Sequence, residues 1–372
     1  MSFRIVSLAV AATAALVVAA PVLRADEMTD VYAQILNDPT NPELNLRYAE
    51  LAEARGEFRK ALAAYERALV NDPDNQAAED GLQRVRRIIQ PPLTQKTFEV
   101  GTTWESNPLR SEFDAEADVL GYGSFRVKDE RPVGGYRWRT NFAAYGEVHA
   151  RENSLNYGSL TADIGPLIDI KGTRVTFRPA AGVGGAYLDG RFYYGEVNVS
   201  GLIEGYLNGA YQWARVRVGY REYDPSFTSD TGFYADITGK YSVQDVFHEQ
   251  DVFSIAPWFR WSGIEGMDDD GGIDFATGLY LEGGATFEYA KVLSETLTAS
   301  VNVKVSDRLY KDVGSGSRHD WMVSPGASLI LTNLFAPQTD LRFDYRYEWN
   351  QSNQVDHTWQ NHAATIALVV RR

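Results

Sequence analysis

Basic residues recur along this chain at even spacings: Arg126 and Lys128, Arg137 and Arg139, Arg174 and Arg178, Arg215, Arg217 and Arg221, and Arg342 and Arg346. On an extended backbone, residues two apart share a face, so each group projects to one side of a strand. Cations fixed along a wet passage attract and orient an anionic solute. Glu99, Asp118, Glu147, Asp236, Glu282, Glu288, Asp344 and Glu348 fall on the same faces as countercharges, and ion pairing that simply fills a lumen is the competing reading.

Other chemistry is poorly supported. His149, His248, His319, His357 and His362 are scattered and lack the short spacings of metal ligands. No serine or threonine is marked out as a nucleophile, no glycine-rich loop joins a strand to a helix, and the chain has no cysteine. The expectation is a protein that is not an enzyme and needs no cofactor or metal. The formal net charge of -14 argues against a nucleic-acid partner.

The elements that must position these cations read as strands. From Thr97 onward, hydrophobicity alternates with a period of two between turns rich in Gly, Asp, Asn and Pro. Phe98, Val100 and Trp104 share one face; Val119, Phe125 and Val127 share the next, and Tyr136, Trp138, Phe142 and Val148 a third. The pattern continues to residue 370 in about fourteen segments, of which the fourth (155 to 167) and fifth (171 to 188) alternate poorly. Strands of this length cross an apolar layer when tilted, and closing them into a cylinder leaves no unpaired edge in lipid. Trp104, Tyr136, Trp213, Tyr220, Trp261, Tyr289, Trp321, Trp349 and Trp359 flank the strands as headgroup anchors would. A composition of 12% aromatic residues with 32 Gly and 21 Tyr suits such a sheet. A soluble propeller or sandwich is the other home for this alternation.

Before the strands lies a helical segment. Asp38-Pro-Thr-Asn41 and Asp72-Pro-Asp-Asn75 are offset by 34 positions. Between them the pattern predicts a helix over Leu44 to Arg55, a break at Gly56, and a second helix through Ala61 to Leu69. Tyr48, Phe58 and Tyr65, with Leu62 and Leu69, supply an apolar seam, and these three aromatics are the candidates for a docking surface. Pro91-Pro92 ends the segment. At the N-terminus, Arg4 followed by the apolar run Leu8 to Ala20 reads as a secretory signal peptide.

The division that follows is 1–25 signal peptide, 26–90 periplasmic helical domain, 91–96 linker and 97–372 outer-membrane barrel. The fold class is mainly β, a transmembrane antiparallel barrel of approximately 14 strands with a small N-terminal α-helical domain. With the first strand starting in the periplasm, the connections Ser106 to Ala115, Asp224 to Asp230, Gly266 to Gly272, Lys311 to Ser317 and Gln351 to Asp356 face outward.

Gly56, Phe58, Ala61, Tyr65, Ala68 and Pro73 resemble one tetratricopeptide repeat, with Asn45 where that family often has Trp. Joined to a barrel that opens Phe98-Glu-Val-Gly-Thr-Thr-Trp-Glu-Ser-Asn-Pro108, the whole of 27–372 resembles the surface lipoprotein assembly modifier family, although members usually carry a longer repeat domain. That resemblance implies assembly or translocation of a protein cargo, with outer-membrane lipid and a cargo protein or periplasmic envelope component as partners. The residues themselves leave open a channel for an anionic solute or polysaccharide, and a structural barrel with a docking domain.

Overall fold

The computed structural model describes residues 24–372 apart from 114, 171–172, 208, 228–230, 266–277 and 312–316. The signal-peptide reading of 1–25 therefore lies, through residue 23, outside the described residues. So do Gly266 to Gly272 and parts of the connections 224–230 and 311–317. The described residues divide into two compact units, the first ending at Ile89 and the second beginning at Gln90.

The first unit consists of α1 (Arg24–Asn37), α2 (Pro42–Ala54), α3 (Phe58–Asn71) and α4 (Gln76–Ile89). The duplicated Asp-Pro-x-Asn is a duplicated helix start. Asn41 Oδ1 accepts from Leu44 N at 3.1 Å while its amide donates to Asp38 at 3.1 Å. Asn75 does the same with Ala78 N and Asp72, both at 3.0 Å. Each cap satisfies a backbone donor that the helix leaves unpaired. Gly56, at φ +75°, turns the chain between α2 and α3. Ala49, Ala52, Ala61, Ala64, Ala68 and Ala78 are fully buried, small enough to let the helices close on Leu82 and Val85.

The second unit is a closed cylinder of antiparallel strands. They are β1 (Leu93–Glu105), β2 (Asp118–Val133), β3 (Tyr136–His149), β4 (Tyr157–Asp169), β5 (Val175–Leu188), β6 (Arg191–Leu207) and β7 (Ala210–Tyr223). Then follow β8 (Gly232–Gln244), β9 (Asp251–Ile264), β10 (Gly278–Ser294), β11 (Leu297–Tyr310), β12 (His319–Leu331), β13 (Thr339–Ser352) and β14 (Trp359–Arg371). Each strand pairs with its sequence neighbour, and β1 pairs with β14 from Thr97↔Arg371 to Glu105↔Ala363. Fourteen strands, an even count, place the start of β1 and the end of β14 at one rim, hereafter the terminal rim. The opposite one is the loop rim.

One boundary differs from the sequence reading. β1 begins at Leu93, inside the stretch 91–96 read as linker, because Leu93 to Lys96 continue the ladder against Glu130 to Val127. The polar Thr94-Gln-Lys96 hides this in the sequence.

The usual burial rule is inverted here. Phe98, Val100, Trp104, Val148, Leu160, Val199, Val216, Phe259, Val301, Phe343, Tyr345 and Ile366 stand exposed on the outer face. Glu99, Glu147, Arg221, Asp236, Glu282 and Glu348 are buried on the inner one. A contiguous exposed apolar surface on this scale is incompatible with water and suited to hydrocarbon, and a closed ladder removes every backbone edge from that layer. The barrel is a transmembrane one. Two of the aromatic anchors read from sequence turn inward instead: Trp213 pairs with the interior residues Glu204 and Lys240, and Trp359 with the buried Asn350. Their register parity places them inside, which aromatic character alone does not reveal.

Candidate functional site

The barrel interior gathers nearly all of the basic residues singled out by spacing, in two different roles. Near the terminal rim they are struts. Glu130 accepts from Arg137 Nε at 3.0 Å and from Arg139 Nε at 2.8 Å, and Arg139 also donates to Glu204 at 2.6 Å. Arg178 donates to Asp163 and, at 3.0 Å, to the Arg139 carbonyl. Arg137 reaches the carbonyls of Gln90 and Pro91, both at 3.3 Å, and so ties down the chain entering β1. At the loop rim Arg221 plays the same part, clamped by Glu196 at 2.9 Å between the rings of Tyr194 and Tyr234. These guanidiniums are buried and cross-linked to neighbouring strands.

A second group meets the lumen. Arg126 pairs with Glu99 at 3.0 Å, and its side chain is 58% exposed against 7% for the carboxylate. Arg346 and Glu348, 3.0 Å apart, show 48% against 10%. Lys128 over Glu130 and Arg215 over Asp236 repeat the asymmetry, and Arg217 and Arg342 share it more weakly. The cause is side-chain length combined with anchoring. Tyr122 holds Glu99 to the wall at 2.9 Å, so the longer Arg126 and Arg342 project past it, whereas Asp344, bonded to Ser328, is as exposed as Arg342. These pairs thus present their cationic heads to the passage, whereas Arg178 and Asp163 show the opposite order.

Arg174 departs from the expectation. It lies exposed in the turn before β5, not in the wall, because the ladder there starts only at Val175.

A cavity of about 800 Å³ opens between the first and last strands, with Arg110, Arg342 and Arg346 facing Tyr122, Tyr145 and Tyr157. Arg110 was missed by the spacing argument because it comes from the β1–β2 connection. A positive φ of 49° turns that loop, and the guanidinium reaches Glu105 at 3.4 Å and Glu348 at 3.6 Å while lying over Trp359. The only sequence signal was the Asn107-Pro108 pair two residues earlier. Asn107 is buried, its backbone N–H donating to Asn361 at 3.0 Å. His149 sits at the same cavity, 3.2 Å from Asp118 and 3.5 Å from Glu147. Among the described residues no cluster is arranged to hold a metal ion.

In the helical unit the candidate docking aromatics fare differently from one another. Tyr65 is completely buried, its hydroxyl donating to Glu53 at 2.6 Å, and its ring fills the space over Gly81 that any side chain there would occupy. It is core, and the docking role is corrected on that ground. Phe58 is half-buried against the same core. Tyr48 is largely buried but reaches a hollow of about 560 Å³ that also involves Tyr32, Arg55, Lys60 and Arg67. Burial, and then the Glu53 carboxylate, push the Tyr65 phenol well above the ordinary tyrosine range.

The chain matches no family model and no curated protein, so the likeness to the surface lipoprotein assembly modifier and tetratricopeptide families rests on the residues quoted above. Among solved structures it is similar to a bacterial polysaccharide outer membrane secretin, with 10% identity over 75% of this chain and 98% of that one and a TM-score of 0.43. The outer membrane protein OpdK of Pseudomonas aeruginosa aligns over 75% of this chain and 98% of its own at 8% identity and a TM-score of 0.37. A BenF-like porin from Pseudomonas fluorescens Pf-5 aligns over 77% and 100% at 8% identity and a TM-score of 0.39. At this distance nothing about cargo passes from them to this chain.

Proposed function

We propose that the protein is an outer-membrane channel for a solute bearing anionic groups, with the helical unit on the periplasmic side. The observation that carries this reading is the asymmetry of the interior ion pairs: carboxylates lie against the wall while the Arg126, Arg346, Lys128 and Arg215 heads face the passage. An anion moving along the lumen meets cations first, and their partners are too deeply placed to repel it at contact.

Purified protein in planar bilayers tests this. The wild type conducts with a preference for anions, and joint replacement of Arg126, Arg215 and Arg346 by Gln reverses the preference, because the buried acids remain. Absence of conductance from a folded barrel, or an unchanged ion preference in the triple variant, refutes the reading. Arg137 and Arg139 are unsuitable for the test, since their removal strands buried carboxylates.

Assembly of a protein cargo is the second reading, favoured by the hollow beside Tyr32 and Tyr48 in the helical unit. Deleting residues 27–89 then lowers surface display of the cargo at constant barrel abundance. Unchanged display removes it.

A further inference from the structure

Most interior polar groups of the barrel are paired across strands, but a row halfway along the wall keeps buried donor atoms that are not. The register sets Arg215 of β7 beside Thr238 of β8, and Thr238 beside Trp258 of β9. Trp258 faces Gly284 of β10, where any side chain would collide with the indole. The ring therefore lies across β10 toward β11, and the Lys304 ammonium stands 5.3 Å from its centroid. Lys304 in turn is the direct neighbour of Ser324 on β12.

Along this row Arg215 Nε, Thr238 Oγ1, Trp258 Nε1 and Ser324 Oγ are buried and have no hydrogen-bond partner among the described residues. Ser324 is only 1% exposed. No acidic side chain of the described residues lies within ion-pair distance of Lys304. Guanidinium, indole and ammonium groups can only donate, and the two hydroxyls can rotate to do so. Buried donors left unpaired are costly and uncommon, so several on adjacent strands are a shared feature needing a shared acceptor. The acceptor that satisfies donors of net positive charge is an oxyanion, for which charge-assisted hydrogen bonds are the strong ones.

We propose that Arg215, Thr238, Trp258, Lys304 and Ser324 form an oxyanion-binding station midway through the barrel, which takes the carboxylate or phosphate group of a passing solute. It deepens the channel reading and rests on it for its role in passage. A glycine under the indole is the device that builds it, since a side chain at 284 would push Trp258 away from Lys304.

The test is equilibrium binding to full-length protein in detergent, with inorganic phosphate and galacturonate as probes and no passage required. Saturable binding of either probe is expected, weakened about tenfold or more in Lys304→Met and severalfold in Ser324→Ala. Lys240→Met removes the same charge from a lysine already paired with Glu288 at 3.4 Å, and leaves binding unchanged. Should Lys304→Met fail to fold, Trp258→Phe keeps the packing over Gly284 while deleting the indole donor, and it weakens binding as well. Phosphate binding without galacturonate binding assigns a phosphate group, and the converse a carboxylate. Binding of neither probe, or equal affinity in the wild type and the variants, overturns the station. A protein that binds but does not conduct overturns the channel and leaves the station standing. One that conducts but does not bind does the reverse.

Discussion

The two units of this chain solve the same burial problem with opposite signs. In the helical unit alanines and Tyr65 close a dry core and the charges face out; in the barrel Phe343 and Ile366 face out while Glu99, Arg221 and Asp236 are enclosed. The amino-acid vocabulary is shared, and what differs is the medium outside. Water makes apolar burial favourable in the first, whereas hydrocarbon makes backbone closure and inward charge the only stable arrangement in the second. A substitution should therefore be judged by the medium its face meets.

Breaking the interior network is expected to have the largest effect. Arg139→Met leaves Glu130 and Glu204 buried without their shared cation, at a cost of about 3–5 kcal/mol. Reversible denaturant unfolding of the barrel in lipid vesicles measures it, and a loss below 1 kcal/mol would show that water already solvates this cluster. Next comes the outer face: Phe343→Arg costs about 2–4 kcal/mol in the same assay, whereas a charge one residue away, at Arg342 or Asp344, is native. Indifference to the substitution would contradict a lipid-facing position.

In the helical unit Tyr65→Phe keeps the core and deletes one hydrogen bond, costing about 1 kcal/mol by thermal loss of the helical circular dichroism signal. Its pH dependence sharpens the point. The fold favours the neutral phenol, so that stabilisation is complete below about pH 10 and fades as pH rises through the raised value. The wild-type unit should lose stability in alkali by more than Tyr65→Phe does. The smallest effect is expected of Arg126→Gln. Its head is mostly exposed, so stability changes by no more than about 0.5 kcal/mol, and only ion preference moves.

Much of this contrast was legible in the sequence because a period of two is a strong code where large residues carry it. Leu341, Phe343 and Tyr345 against Arg342, Asp344 and Arg346 fix both faces of β13 by inspection, and the strand count follows. β4 and β5 were harder for a reason the structure supplies. Ala180, Gly182, Gly184 and Ala186 fill the inner face of β5 with small residues, and the pairing of β4 with β5 breaks between Ile164 and Ile168. Gly165 there admits the Pro179 carbonyl into the space of a side chain. Site features were read less well. Spacing found the inward cations but could not tell the clamped Arg137 from the projecting Arg126, since that depends on cross-strand partners. It missed Arg110, which a loop delivers. In the helices it could not separate Tyr65, sealed by Gly81, from an aromatic free to dock.

The pairing of wall-held carboxylates with projecting guanidiniums also sets the reach of the lumen's influence. Two concentric shells of opposite sign form a dipole layer, whose potential decays much faster with distance than that of a net charge, and salt shortens it further to within about 8 Å. A small ion travelling near the axis feels less of it than one at the wall, so the preference for chloride over potassium is modest, though enough to reverse when the projecting cations are removed. A solute wide enough to brush the wall meets the outer shell directly. Selection in such a passage acts by touch and rewards size together with charge.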